Sequence, residues 1–289
     1  MLGIKLSNGH VLKYVIASGG LAYDGKGWFW DQPLRRFELL DERLFTTVIK
    51  TLTLQPRIGN FKWWNPLGCV RYLRGGGVVN AFGLTNPGID WWCKNVGPRI
   101  NSSETAVVGS ILGETDELTE MTKRLNDFDL VGLEINASCP NTGGDILQNS
   151  DRVISGFETV ANASRLPLIG KLSVAHDIGY IVPRIRGIIE AISINSVPWH
   201  IVFPNRKSPL AHLGGGGVSG KVAQPFTWKM VEDLVAITDI PVIGPSVWDY
   251  EDIGQLSGLG AMAVSFGSVL MWYPWRPTQF VRRHMAEVA

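Results

Sequence analysis

The sequence predicts an α/β fold, a (β/α)8 barrel with an elaborated loop insertion after its second strand. Three observations carry this. Short β-branched runs alternate with helix-like segments along all 289 residues, the pattern of a parallel sheet with crossover helices. The runs number about eight, which is what closes such a barrel. Each apolar run also stops at small or polar residues, as strands do at the rim where α/β proteins keep their chemistry.

The predicted strands are residues 14–18, 46–51, 106–111, 130–136, 167–173, 200–205, 241–246 and 261–267. Amphipathic stretches between them read as helices at 114–128, 150–164, 181–194 and 226–238. The first of these starts with acids and ends with Lys123 and Arg124, as the helix dipole favours. The connection from 50 to 106 is too long for a simple crossover and holds many Pro and Gly residues. Apolar pieces such as Val78-Val79 persist within it, so it reads as an elaborated loop over the barrel. No repeat or second domain is visible, and residues 1–289 are expected to form one barrel domain.

Composition narrows the function classes. A hydrophobic fraction of 45% with 18% charged residues describes an ordinary globular core. Net charge is +1 and no run of Lys or Arg reaches five, which argues against nucleic acid as the main partner. No apolar run approaches the ~20 residues of a membrane helix, and the opening residues lack a secretory pattern. Cys69, Cys93 and Cys139 show no metal-binding spacing; a sparse, odd count fits reduced thiols in the cytoplasm. Several of the eleven tryptophans come in pairs, which suits core packing or a subunit interface.

The most informative stretch is Leu133-Glu134-Ile135-Asn136-Ala137-Ser138-Cys139-Pro140-Asn141-Thr142-Gly143-Gly144, where a hydrophobic run breaks into amides, hydroxyls and one thiol. A thiol can act as base or nucleophile, and amides both donate and accept. Other predicted strands end alike: in Ala17-Ser18-Gly19, Lys50-Thr51, Lys171, Asn205, Gly244 and Gly267-Ser268. Each alone is an ordinary cap, turn or snorkelling lysine. Lys171 lies in an apolar strand, where a charge is costly without a partner. Jointly, so many polar strand ends mark a site.

These residues resemble the dihydroorotate dehydrogenases, FMN-binding (β/α)8 barrels of pyrimidine biosynthesis. The likeness runs through Ala17-Ser18-Gly19, the segment from Val48 to Asn60, the segment from Asn80 to Gly88, the Asn136–Asn141 stretch, Gly216 to Gly220 and Ser265 to Ser268. It implies oxidation of dihydroorotate to orotate, with a hydride passing to FMN N5 and a neighbouring proton to Cys139. A cysteine there marks the class 1 branch. It further implies that Lys50, Asn80, Gly83, Leu84, Asn136, Asn141 and Asn205 meet the substrate. FMN would be held by Ala17, Ser18, Gly19, Lys50, Thr51, Asn136, Lys171, Ser219, Gly220, Gly244, Gly267 and Ser268. Lys50 would lie between substrate and flavin, and Lys171 beside the flavin's pyrimidine end. Residues 140–149 resemble a loop that closes over substrate. The membrane-engaging N-terminal extension of class 2 is not expected. The acceptor would be fumarate or a separate NAD-linked subunit, and the assembly a homodimer.

Three departures from the family pattern bear on the site. Gly244-Pro245-Ser246-Val247-Trp248 replaces a glycine-rich turn; Pro245 has no N–H and Val247 suits a left-handed backbone badly. Asn60-Phe61-Lys62-Trp63-Trp64 replaces a proline-rich segment. Arg206-Lys207 after Asn205 would add positive charge near the substrate carboxylate. Two alternatives stay open: a related flavin barrel acting on another dihydropyrimidine or an enone-like substrate, or a non-catalytic flavin-binding subunit.

Overall fold

In the computed structural model, residues 2–62, 64–137 and 149–288 are described. The chain opens with an antiparallel hairpin, β1 (Ile4–Lys5) and β2 (Val11–Leu12). Eight strands then form one parallel sheet: β3 (Tyr14–Ile16), β4 (Thr46–Val48), β7 (Ala106–Ile111), β8 (Gly132–Asn136), β9 (Leu168–Leu172), β10 (Ala191–Ile194), β13 (Ile243–Gly244) and β14 (Ala263–Phe266). Their spatial order is β10-β9-β8-β7-β4-β3-β14-β13. The ring closes where Ile192 bridges Val242 in parallel, its N–H donating to the Pro241 carbonyl at 2.9 Å.

Side-chain alternation along these strands sorts the residues into layers. Val15, Val48, Val108, Ile169, Ala191, Ile243 and Ala263 point inward near the strand starts and pack with Ile4, Leu6 and Leu12. The hairpin thus plugs the N-terminal mouth with aliphatic side chains. Two residues further along, the inward positions carry Ser110, Glu134, Lys171 and Ser193. The barrel interior changes from apolar to polar towards the C-terminal ends of the strands.

Helices cover the outside by the same logic. In α3 (Thr115–Leu125), Leu118, Met121, Thr122 and Leu125 are buried at helical spacing, with acids in the first turn and Lys123 and Arg124 in the last. The Glu114 N–H donates back to the Glu117 carboxylate at 3.0 Å. In α4 (Ser150–Ala163), Val153, Ile154, Phe157 and Val160 are buried, and the Asn149 side chain caps the helix by accepting from the Arg152 N–H. The remaining helices include α1 (Gln32–Arg36), α2 (Gly88–Asn95), α5 (Ile178–Ile185), α6 (Trp199–Val202), α7 (Gln224–Ile237), α8 (Asp252–Gly258), α9 (Val269–Trp272) and α10 (Arg276–Val288).

Seven predicted strands are found and the sixth is not where the pattern placed it. Residues 200–205 form the end of α6 and a turn, whereas the sixth strand is β10. The expected helix 181–194 is α5 followed by β10. The helix ends at Ile185, and Gly187 adopts φ +79°. Ala191–Ile194 is buried at every residue, and a strand buried on both faces has no period to separate it from a buried helix. The β-branched pair Ile201-Val202 imitates a strand, but Pro204 interrupts it.

The long connection after β4 contributes β5 (Val70–Tyr72) and β6 (Val78–Asn80). The connection after β10 contributes β11 (Val197–Pro198) and β12 (Gly217–Ser219). These four join as an antiparallel sheet in the order β11-β12-β6-β5. Both segments leave the barrel from C-terminal strand ends, so the sheet stands on that side.

Candidate active site

The inward residues above the aliphatic layer form one continuous hydrogen-bonded network. Ser193 Oγ donates to Glu134 Oε2 at 3.0 Å. Lys171 Nζ and Ser110 Oγ donate to Glu134 Oε1 at 3.3 and 3.1 Å. Ser110 Oγ lies 3.0 Å from Thr51 Oγ1, which also receives Asn136 Nδ2 at 3.1 Å and touches Ser18 Oγ at 3.0 Å. Ser18 Oγ lies 2.8 Å from the Ile49 carbonyl. The network runs from β10 through β9, β8 and β7 to the ends of β4 and β3. Sheet register makes this possible, since Ser193 pairs with Lys171 and Ser110 with Glu134.

Lys171 and Glu134 are nearly inaccessible, with side-chain exposures of 9% and 2%. Their ion pair answers the question that Lys171 poses in the sequence. A cation in an apolar strand needs a buried anion, and a carboxylate with three donors satisfies that need. Sequence reasoning did not single out Glu134, Ser110 or Ser193. A signal was present, because Glu134 is the only acidic residue inside any predicted strand.

Lys50 follows β4. Its stem crosses Gly19, where an added Cβ would sit 3.1 Å from Lys50 Cδ, and its Nζ lies 5.5 Å from the Phe82 ring centroid. Gly19 takes φ +82°, a conformation and a closeness of approach that exclude a side chain. Asn80 ends β6, its Nδ2 3.5 Å from the Gly217 carbonyl. Gly83 and Leu84 follow with φ +66° and +58°. Leu84 is buried despite a backbone conformation that costs a non-glycine residue about 1 kcal/mol or more. Lys50, Phe82, Asn80, Asn136 and Thr51 are therefore built from β4, β8 and the added sheet.

A second cluster gathers at the ends of β12, β13 and β14. An added Cβ at Gly220 would lie 2.6 Å from Gly77 Cα and 2.9 Å from both Ser268 Oγ and the Trp248 ring. Ser219 and Gly220 thus abut Ser268, and Trp248 seals the space behind them. Among the described residues, none supplies an acceptor to the backbone N–H groups of Gly220, Val247, Gly267 or Ser268. Unpaired N–H groups at one end of a barrel are the donors an anion requires.

The departures from the family turn are accommodated. The left-handed residue is Ser246, at φ +66°, and Val247 avoids that region. Asp252 accepts from the Trp248 and Asp249 N–H groups at 2.7 and 2.9 Å, while Gln224 Nε2 donates to the Ser246 carbonyl at 3.0 Å. Gly244 ends β13 and packs against Leu256 and Ala261, with no room for a Cβ.

The structure does not bring Asn205 to the site. With the sixth strand relocated, Asn205 sits in an exposed turn, and so do Arg206 and Lys207, which removes the expected charge from the strand end. The amide that follows β10 is Asn195, whose backbone N–H donates to the Leu172 carbonyl at 2.8 Å. Cys139, Asn141 and all but the last residue of the expected closing loop 140–149 lie outside the described residues. Burial raises the Cys69 and Cys93 thiols above their ordinary range, so neither is poised as a thiolate. Among the described residues, no helix is long and apolar enough to cross a membrane and no group of His, Cys, Asp and Glu could hold a metal ion.

Residues 36–281 match the family model described as dihydroorotate dehydrogenase. The catalytic subunit of dihydroorotate dehydrogenase B (NAD(+)) from Petrotoga mobilis is 31% identical over 229 residues, 76% of this chain and 74% of the relative. The protein of the same name from Caldicellulosiruptor bescii is 30% identical over 277 residues, 92% and 85% of the two chains. In fold, the chain is similar to the ligand-free dihydroorotate dehydrogenase of Eimeria tenella, with TM-score 0.64 at 19% identity over 84% of this chain and 77% of that one. A barrel whose polar layer and open N–H groups share one face, matched by the family model over most of its length, places this chain in the dihydroorotate dehydrogenase family.

Proposed function

We propose that this chain oxidises dihydroorotate to orotate, with FMN seated at the C-terminal face of the barrel. The observation that carries the reading is the pairing, on that face, of four acceptor-free backbone N–H groups with a buried lysine. The first suit a phosphate and the second suits the electron-rich end of a reduced flavin. The donor set therefore fits the cofactor, and the rebuilt turn at Ser246 keeps the Val247 N–H available while Asp252 takes those of Trp248 and Asp249.

In this reading Ser219, Gly220, Gly244, Gly267 and Ser268 hold the phosphate, with Val247 adding an N–H. Ala17, Ser18, Gly19, Lys50, Thr51, Asn136 and Lys171 line the ring system. When bound, FMN supplies a two-electron acceptor for the hydride equivalent leaving the substrate. The Cys139 thiolate takes the proton from the neighbouring carbon. A thiol is a far stronger acid than a serine hydroxyl and so serves as a base with less activation. Asn80, Asn136 and Asn141, with Asn195 in place of Asn205, hold the planar ring through paired donors and acceptors. Gly83 and Leu84 shape the floor beside Asn80, and Lys50 provides the cation between the two ligands.

The relatives are named as catalytic subunits of NAD(+) enzymes, which favours an acceptor reached through a separate NAD-linked subunit over fumarate. A cytoplasmic setting and a homodimer belong to the same reading. The test is to reconstitute the protein with FMN and add dihydroorotate anaerobically. Bleaching of the yellow form is the expected result. A yellow protein that stays oxidised points to another dihydropyrimidine or an enone-like substrate, and failure to take up FMN refutes the assignment.

A further inference from the structure

We infer that Glu134 is a positioning residue: it sets the net charge that a bound flavin meets at Lys171 and fixes the polarity of Ser110, the first link of the hydrogen-bond chain that reaches Asn136. The inference rests on the FMN reading above. Its first half follows from the ion pair. Lys171 Nζ lies 3.3 Å from Glu134 Oε1 with both side chains shielded from water. At that depth, water screens neither charge strongly, so removing one partner changes the potential felt nearby far more than at a surface. Glu134 therefore cancels part of the Lys171 field. The Ser110 and Ser193 hydroxyls draw on the same carboxylate, leaving Lys171 a share of its charge to present to a ligand.

The second half follows from donor and acceptor counting. An ionised carboxylate only accepts, so the Ser110 proton must point to Glu134. Ser110 Oγ is then left to accept, and the single Thr51 proton is shared between Ser110 at 3.0 Å and Ser18 at 3.0 Å, whose own proton is held by the Ile49 carbonyl at 2.8 Å. Thr51 Oγ1 is left as an acceptor, and it receives Asn136 Nδ2 at 3.1 Å. Glu134 sets the direction of the Ser110 bond and so makes Ser110 one of the two acceptors that draw the Thr51 proton away from Asn136. The Asn136 amide is held with its nitrogen towards Thr51. A glutamine at 134 can donate as well as accept, and both the charge balance and the direction are lost.

The experiment uses the FMN-loaded protein and sulfite, which adds to flavin N5 and places negative charge on the pyrimidine end of the ring. In Glu134→Gln the uncompensated Lys171 is expected to tighten sulfite binding at least tenfold. The flavin midpoint potential should rise in step, by about 30 mV per tenfold for a two-electron couple. Lys171→Met should shift both in the opposite direction, as expected for two residues that bring opposing charges to the same end of the flavin. Should Glu134→Gln not fold, Ser110→Ala/Ser193→Ala takes its place. Stripped of two donors, the carboxylate bears fully on Lys171 and sulfite binds several-fold more weakly. Unchanged sulfite affinity and potential in the folded yellow variant overturn the inference alone, whereas a wild-type protein that takes up no FMN overturns it together with the cofactor reading.

Discussion

Gly220→Ala tests whether the cluster at the ends of β12, β13 and β14 is as tightly built as its geometry implies. Gly220 has φ +91° and ψ −159°, a region open essentially to glycine alone. Forcing alanine into it costs about 1–3 kcal/mol. The new methyl would also stand 2.6 Å from Gly77 Cα, a backbone atom that cannot swing aside, and 2.9 Å from Ser268 Oγ and the Trp248 ring. Overpacking of this kind adds about 1–3 kcal/mol. The expected total is about 2–6 kcal/mol, a large part of the stability of an ordinary domain. Gly214→Ala is the control. It shares a positive φ of 86° but has nothing within 4 Å of its Cβ, so it should lose only about 1 kcal/mol. Urea unfolding of both variants gives the stability difference, and FMN titration followed by flavin fluorescence gives the affinity. Gly220→Ala should also weaken FMN at least tenfold, because the methyl displaces Ser268. Equal losses in the two variants, or unaltered FMN affinity in Gly220→Ala, would refute the reasoning.

Cys139→Ala should abolish flavin reduction by dihydroorotate while the protein stays yellow; anaerobic stopped-flow spectra that still bleach near the wild-type rate would remove Cys139 as base. Asn195→Ala should lower the reduction rate at least tenfold and Asn205→Ala should leave it within about twofold; the reverse ranking would show that the turn after α6, not the end of β10, meets the substrate. His176 is buried after β9, and desolvation lowers its pKa from 6.5 to about 4. The unfolded chain therefore binds a proton there before the folded one does. Stability from this residue is complete above pH 6.5 and is lost as pH falls towards 4, by up to ~3 kcal/mol. Urea midpoints between pH 7 and 4 should fall less steeply in His176→Gln, and parallel curves would sink the assignment.

Most of the barrel is legible in the chain because each strand is short, β-branched and ends in a polar break. The failure at residues 181–205 has a definite cause. Ala191–Ile194 is buried on both sides and shows no period, while the apolar residues 201–203 followed by Asn205 imitate a strand that ends in an amide. The strand pattern therefore points to Asn205 and leaves Asn195 unmarked. A ten-residue displacement along the chain exchanged a turn for the sixth strand.

The sequence by itself determined the family, the fold class and the residue types at the strand ends, since these depend on local order and spacing. It also contained Lys171 and Glu134, each in an apolar strand. Only the tertiary structure decided that the two meet, because register across β8 and β9 places their side chains on the same inner face. The same holds for the phosphate-facing turn. Pro245 and Val247 read locally as damage, yet Ser246 absorbs the left-handed backbone and Asp252, four residues beyond Trp248, ties the turn down. Spacing along a chain specifies which groups are available, and burial among distant neighbours decides which of them carry charge, donate or accept.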